Sequence, residues 1–506
     1  MASDGQGKRA RPGFQPRPRL ALWAIVVWLV VWQLASGALD SELLLPGPAD
    51  VVVRFGQLAV TVEFWQRVLF SATRILGGAA IGCLVGAAGA SGAARFRRIE
   101  ELLAPIMALM RSVPVASFTV LALIWLSAGN LAVLVVALVV APIVYENVGS
   151  GLAGLDPARA EMATLLDVPC WRRFRLVVLP QLLPCLQAAA RLGLGMGWKA
   201  GVAAEVIGIP FGSLGEQIYT AKVHFDTADL FAWTLAVVVL SLVCERLVIW
   251  VLVHGARKLS GDVRGAKHAG KPMRGTRPDG QASTVAVQPE PSSRPESSLS
   301  SARHGAANAK LSELHVSRLT RTFSGGTGPH DVSFTAYAGT PLCLMAPSGY
   351  GKTTLLRIIA GLEMSDSGTM ATVPAGIQPV IGMVFQENRL CPQASALDNA
   401  RIGVPRGSTA YSEAPALLAQ LGLEAALGQA AETCSGGQQR RIALARALLA
   451  PHDVLLLDEP FAGLDDDARA QAATFIRERE KERIVIVASH DARDAELLGA
   501  RVVGLE

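Results

Sequence analysis

The sequence predicts an α-helical transmembrane bundle of about six spans, followed by an α/β domain. Three observations predict it. Six apolar stretches precede residue 255. The composition then changes sharply over residues 254–310. From Leu311 onward, strand-like and helix-like runs alternate. The 506 residues suffice for two or three domains, and 51% hydrophobic against 18% charged residues is too apolar for an ordinary soluble protein. The net charge of +5 is small, and its distribution matters more than its size. The seven cysteines are scattered, odd in number and without C-x-x-C spacing. They read as reduced thiols, with neither a disulfide framework nor a zinc site.

The expected spans are Leu20–Leu34, Val68–Ala90, Leu102–Ser127, Leu131–Val148, Val177–Ile207 and Ala228–Val253. Several reach the roughly 20 residues that cross a bilayer. The first is shorter, but another apolar span follows it, which fits a retained anchor better than a cleaved signal. Basic clusters precede the first span (KRARPGFQPRPR) and follow the second (Arg95–Arg98). Others lie between the fourth and fifth (Arg172, Arg173, Arg175) and after the sixth (HGARK). With six spans all four fall on one side, which the positive-inside rule makes the cytoplasm. Both termini are then cytoplasmic. The spans are rich in Gly and Ala, as in GGAAIGCLVGAAG, which allows close helix packing in lipid. Lys199 and Glu205 lie in or near the fifth span. Such charges face a cavity or a partner. They are expected to pair with each other, to sit at the membrane surface, or to line a path.

Between the fourth and fifth spans, Asp156-Pro157 is a good helix start, and a short helix Pro157–Leu166 is expected. Residues 254–310 are rich in Gly, Pro, Ser and charge and lack aromatics, so they read as a flexible tether. The expected organisation is a basic tail over 1–19, a membrane domain over 20–253, the tether, and the α/β domain over 311–506.

In that last domain CLMAPSGYGKTTLLR is one residue short of the G-x-x-x-x-G-K-[ST] pattern, because Ala346 takes the place of the first glycine. It sits between an apolar run and a good helix, the context such a loop needs. Gly349 and Gly351 let the backbone wrap, so that N–H groups point at phosphate oxygens. Lys352 can reach the β- and γ-phosphates and the Thr353 hydroxyl can bind Mg²⁺. An extended residue at 346 would accept Ala without strain, whereas positive φ would cost about 1 kcal/mol or more. The extended form, and a working loop, are expected. Further on, the apolar strand Val454–Leu457 delivers Asp458 and Glu459 at its end. Ser435, Gly436 and Gly437 cap a helix whose N-terminus offers N–H groups to an anion.

These pieces, in this order, resemble the ATPase of ABC transporters over Leu311–Glu506. IGMVFQENRL resembles the Q-loop at Gln386. CSGGQ resembles the L-S-G-G-Q signature, with Cys434 for leucine. DVLLLDEP resembles Walker B, Gly463-Leu464-Asp465 the D-loop, and His490 stands at the switch-histidine position. The resemblance implies an ABC ATPase fold with a helical subdomain, binding ATP and Mg²⁺. It implies nucleotide contacts from Phe323 (stacking on adenine, or else core), Ser348, Gly349, Gly351, Lys352, Thr353 and Thr354. Gln438 and Asp465 would be further nucleotide contacts, and Ser435, Gly436 and Gly437 would serve the nucleotide of an opposing subunit. Thr353, Gln386 and Asp458 would serve the metal, with Glu459 as general base aided by His490 and Gln386.

The loop between spans four and five resembles that of ABC importer permeases, E-A-A-x3-G-x9-I-x-L-P. Glu161, Met162 and Ala163 stand at E-A-A, and Val177, Leu179 and Pro180 at I-x-L-P. Asp167 replaces the glycine, and Asp tolerates that turn better than most residues. In that family this segment couples permease to ATPase. The permease wording most resembles the nitrate/sulfonate/taurine import group. The implied protein is a permease fused to its own ATPase in the bacterial inner membrane, embedded in lipid and acting as a homodimer. It would work with a separate extracytoplasmic solute-binding protein and with no nucleic acid. The rivals are an ABC exporter, which the coupling loop and short cytoplasmic loops disfavour, and a non-transporting regulator, which the retained Lys352, Asp458, Glu459 and His490 disfavour.

Overall fold

A computed structural model describes residues 22–39, 45–261, 310–323, 327–347 and 349–505. The basic tail 1–19, residues 262–309 of the expected tether, and Ser348 lie outside the described residues. Contacts group the chain into two compact units, Met1–Ala153 with Pro184–Leu252, and Gly154–Leu183 with Val253–Glu506.

The helices are α1 (Leu22–Leu39), α2 (Pro48–Ala59), α3 (Val62–Arg95), α4 (Arg97–Ser112), α5 (Val115–Ala122), α6 (Ala128–Ala153), α7 (Pro157–Leu165) and α8 (Cys170–Arg172). A π-helical turn, Arg173–Val178, follows, then α9 (Leu179–Gly208), α10 (Leu214–Val223) and α11 (Thr227–Ser260). Among the described residues four helical stretches are long and apolar enough to cross a membrane: Val62–Arg95, Ala128–Ala153, Cys170–Gly208 and Thr227–Ser260. The expected third span, Leu102–Ser127, is not one straight helix. It is the pair α4 and α5, bent by 99°. The cause is Pro114: it forces Val113 out of the helical region (ψ 125°) and starts α5 as its N-cap. The first expected span is the shorter apolar helix α1. The last span runs on to Ser260, so residues 254–260, expected as tether, are helical. Arg257 and Lys258 in its final turn suit the helix's negative end.

In the first unit α3 packs along α6 through a glycine stripe, Gly78, Gly82 and Gly86, at four-residue spacing. A Cβ at Gly82 would lie 2.8 Å from the Ala137 carbonyl oxygen, and one at Gly78 2.5 Å from that of Val133. The backbones therefore touch, with Val136, Val140 and Val144 filling the seam beside Ile75 and Ala79. Glu205 does not pair with Lys199, which is exposed. It is 1% exposed and accepts hydrogen bonds from Ser71 Oγ (2.7 Å) and Gly215 N (3.3 Å), while Leu214 N donates to Ser71 Oγ (2.9 Å). Enclosed within one bundle, Glu205 pins α3, α9 and α10 together.

The second unit holds α7, α8 and two sheets. A three-stranded antiparallel sheet has the order β2 (Val332–Tyr337), β1 (Glu313–Thr320), β4 (Ser367–Val373). A five-stranded parallel sheet has the order β5 (Ile381–Val384), β6 (Val454–Asp458), β7 (Ile484–Ser489), β3 (Leu342–Met345), β8 (Arg501–Gly504). The central strands are buried on both faces, as a covered parallel sheet requires. The helices are α12 (Lys352–Ile359), α13 (Ala396–Ala400), α14 (Thr409–Gln420), α15 (Gly436–Leu449), α16 (Asp466–Arg479) and α17 (Ala492–Leu498). A separate cluster of Ala414, Leu417, Leu418, Ile442 and Ala445 makes α13–α15 a small helical subdomain.

The glycine stripe predicts a position-specific effect. Gly82→Leu should lower the thermal midpoint of detergent-purified protein, or its yield, whereas Gly77→Leu, which meets open space, should be tolerated.

Candidate nucleotide site and coupling segment

Strand register builds the site. Met345 of β3 stands beside Ser489 of β7, and Asp458 of β6 beside Ala488. The phosphate loop, the Asp458–Glu459 pair and His490 therefore leave the same carboxyl edge of one sheet, where α/β folds bind ligands. Gly349 (φ 89°) and Gly351 (φ 97°) take the left-handed conformations that wrap the loop onto α12, and Ala346 does not have positive φ. The Ala346–Gly substitution thus carries no strain, as expected from the extended reading. Lys352 is 8% exposed and donates to the carbonyls of Ala346 (2.6 Å) and Pro347 (3.2 Å). Thr354 is half-buried on the same helix.

Thr353 hydrogen-bonds the Asp458 carboxylate. Burial pushes the Asp458 pKa up, and its Oδ2 is buried with no partner. An orphaned carboxylate oxygen beside a threonine hydroxyl is the donor set that suits Mg²⁺, which takes one or two protein oxygens and completes its shell with phosphates and water. Glu459 has φ 51°, and its Oε1 lies 2.8 Å from His490 Nδ1. That contact raises the His490 pKa, through the hydrogen bond first and the charge of Glu459 second. Gln386 is exposed just past β5.

Phe323 is 38% exposed, with Arg321 over its ring at 5.3 Å, so it is not a core residue. Its loop reaches the phosphate loop: a Cβ on Gly351 would lie 2.7 Å from Pro329 Cδ. Ser435 and Gln438 form a capping box at the start of α15 (Gln438 N to Ser435 Oγ, 3.3 Å; Ser435 N to Gln438 Oε1, 2.9 Å). Their side chains serve the cap, which leaves backbone N–H groups of Gly436 and Gly437 at the helix end. Asp465 is an N-cap as well, accepting from Ala468 N at 2.8 Å.

The segment between the two membrane-spanning stretches is built into this unit. Met162, Ala163, Leu166, Val168, Leu176 and Val177 share a core with Ile381, Met383, Phe385 and Ile402. Glu161 takes both terminal nitrogens of Arg357 (2.9 and 3.0 Å), from the last turn of α12, and Nη1 of Arg389 (2.9 Å), three residues past Gln386. The fork of Arg357 outweighs partial burial and holds the Glu161 carboxyl below its usual range. Asp167 has φ 47°, the left-handed turn foreseen for the family's glycine. Leu179 is buried and Pro180 half-buried where α9 begins. Arg172, in the cluster read only as a topology signal, donates to the carbonyls of Arg401 (2.9 Å), Ile402 (3.3 Å) and Val404 at the end of α13.

Comparison with known proteins bears on this geometry. Residues 329–462 match the family model described as ABC transporter, and 78–260 that of the binding-protein-dependent transport system inner membrane component. The aliphatic sulfonates import ATP-binding protein SsuB 2 of Burkholderia lata is 39% identical over 210 residues, covering 40% of this chain and 76% of that protein. The chain belongs to the ABC transporter family. SsuB of Cupriavidus pinatubonensis is 37% identical over 198 residues, 38% of this chain, and the match spans 66% of that relative's length. The Fe(3+) ions import ATP-binding protein FbpC 3 of Rhodococcus jostii is 34% identical over 201 residues, 37% of this chain and 58% of that protein. The ABC transporter thus carries a permease-type membrane region ahead of its cassette in one chain.

Two outcomes follow. Ala346→Gly should leave ATP affinity within about fivefold, since the cost is only backbone freedom of ~0.5–1 kcal/mol. Glu161→Gln should lower the thermal midpoint of the cassette unit at neutral pH. A carboxyl with a depressed pKa stabilises above its unfolded value and loses that contribution as pH falls through the folded one. The gap between wild type and Glu161→Gln should therefore close in acid, below the usual glutamate range. A gap independent of pH would refute the ion-pair reading.

Proposed function

We propose that this chain is one half of an ATP-driven importer of aliphatic sulfonates or similar small anions, working as a homodimer in a bacterial inner membrane. Its basic loops, termini and cassette lie on the cytoplasmic side. A separate extracytoplasmic protein delivers the solute. The observation that carries the reading is the Glu161 fork. A segment lying between membrane-spanning stretches grips the phosphate-loop helix and the stretch after the Q-loop residue, so nucleotide state and membrane helices share one mechanical element. The importer-type permease match and the names of the sulfonate relatives support the direction and the solute class.

In this reading Lys352 exchanges its loop carbonyls for the β- and γ-phosphates of ATP, and loop N–H groups at Gly349 and Gly351 cradle them. Bound Mg²⁺, which Thr353 and Asp458 would hold, neutralises phosphate charge. Glu459 orients the attacking water and takes its proton. His490, already 2.8 Å from Glu459 Oε1, fixes that carboxylate and faces the γ-phosphate. Gln386 senses the site from β5, and Phe323 stacks on adenine. Gly436 and Gly437, at the positive end of α15, complete the site of the opposing copy, with Asp465 holding the turn beside them.

Glu459→Gln is expected to reduce ATP turnover by about 10²-fold or more while ATP still binds. Turnover surviving that substitution would remove Glu459 as the base. For the solute, a deletion strain should fail to grow on aliphatic sulfonates as sole sulfur source and recover with the intact gene. Recovery on ferric iron instead, or ATPase stimulated by lipophilic compounds alone, would overturn the solute class or the direction.

A further inference from the structure

Arg440 sits one turn into α15, five residues past the capping serine, in a stretch whose sequence signal is spent on the S-G-G-Q residues. It is 2% exposed. Its guanidinium makes six hydrogen bonds. Nε donates to Pro460 O (3.1 Å). Nη1 donates to Phe385 O (2.6 Å), Gln386 O (3.2 Å) and Asn388 Oδ1 (3.3 Å). Nη2 donates to Asp458 O (2.5 Å) and Glu459 O (2.6 Å). Five of the six acceptors are backbone carbonyls, and they come from two stretches only, the start of the Q-loop and the end of β6. No carboxylate accepts from it. Burial draws its pKa down to about 10, so it remains a cation at neutral pH.

The setting makes this more than a buried arginine. Glu459 is held at φ 51°, a left-handed conformation that is disfavoured for a non-glycine residue and persists only where surroundings enforce it. Two contacts enforce it: Glu459 N donates to Ala488 O (2.9 Å), and Glu459 O accepts from Arg440. The same side chain holds the carbonyl of Gln386. The helix carrying Arg440 begins at the Ser435–Gln438 cap, whose N–H end is exposed.

We propose that Arg440 is a positioning residue that ties the signature helix to the backbone of Gln386 and Glu459, so that engagement of the α15 N-terminus by the opposing copy's nucleotide sets the catalytic geometry of this copy's own site. A planar fork is what the role needs. One guanidinium reaches two stretches of chain at once, while lysine's single ammonium cannot span both. The inference rests on the proposed ATP hydrolysis by Glu459 in a dimer.

The test uses the full chain in lipid nanodiscs, with wild type, Arg440→Lys, Arg440→Met and Glu459→Gln. Misplacing the base by about 1 Å costs on the order of 10²-fold in rate. Arg440→Lys is therefore expected to lose about tenfold to a hundredfold in kcat with the KM for ATP little changed, and its dependence on ATP concentration should become less cooperative than that of wild type. Arg440→Met should be worse on both counts. Binding of a fluorescent ATP analogue should persist in both variants, which separates lost positioning from lost folding. Wild-type kcat and cooperativity in Arg440→Lys would overturn the inference and leave the hydrolysis reading intact. A KM rise matching the kcat loss would mark a merely structural residue and overturn it too. Wild-type turnover in Glu459→Gln would instead refute the hydrolysis reading itself.

Discussion

The parallel register of β3, β6 and β7 is the constraint on which the rest depends. Because Met345 is level with Ser489 and Asp458 with Ala488, three loops from distant parts of the sequence emerge at one sheet edge. The strands are buried on both faces, so register slippage would force differently shaped side chains into two close-packed layers at once. Apolar burial in the sheet thus secures polar geometry at its edge. The contact of Glu459 with His490 and the orphaned oxygen of Asp458 are consequences of that edge.

Around it, buried arginines do the joining. Arg440 ties α15 to the ends of β5 and β6. Arg446 donates to the carbonyls of Asn388 (2.9 Å) and Arg389 (2.9 Å) from the same helix. Arg172 closes the end of α13, where carbonyl dipoles favour a cation. In each case the acceptors are carbonyl oxygens, so charge is spread over several dipoles and chain segments are fixed without a second buried charge. Glu161 is the exception, a half-buried carboxylate shared by two arginines. Its position makes it sensitive to movement of either α12 or the stretch after Gln386.

Much of the site was legible because its chemistry needs particular residues at particular offsets. The loop glycines, Lys352, Thr353 and the Asp458–Glu459 pair follow from local geometry at a strand end. Asp167 at positive φ likewise follows from what residue type a turn accepts. The bend at Pro114 was written in the sequence too, but the continuous apolarity of Leu102–Ser127 outweighed it in the reading of that span. For Lys199 and Glu205 the sequence left a mutual pair, a place at the membrane surface and a path open, and the structure gives Glu205 to Ser71, 134 residues away. Arg440 and Arg172 carried no signal of their role, since an arginine in a polar stretch reads as surface.

The sequence by itself determined most of the elements, their order, and the residue types in the loops at the sheet's carboxyl edge, because these depend on contacts between near neighbours. It also determined that glycines would bring two membrane helices close. Tertiary structure alone decided which helix those glycines meet, which carbonyls the buried arginines gather, and that Glu161 reaches Arg357 and Arg389 across 196 and 228 residues. Those are long-range pairings. Their partners are ordinary backbone or common charged residues, and only burial, which removes water as a competitor, selects one partner among many.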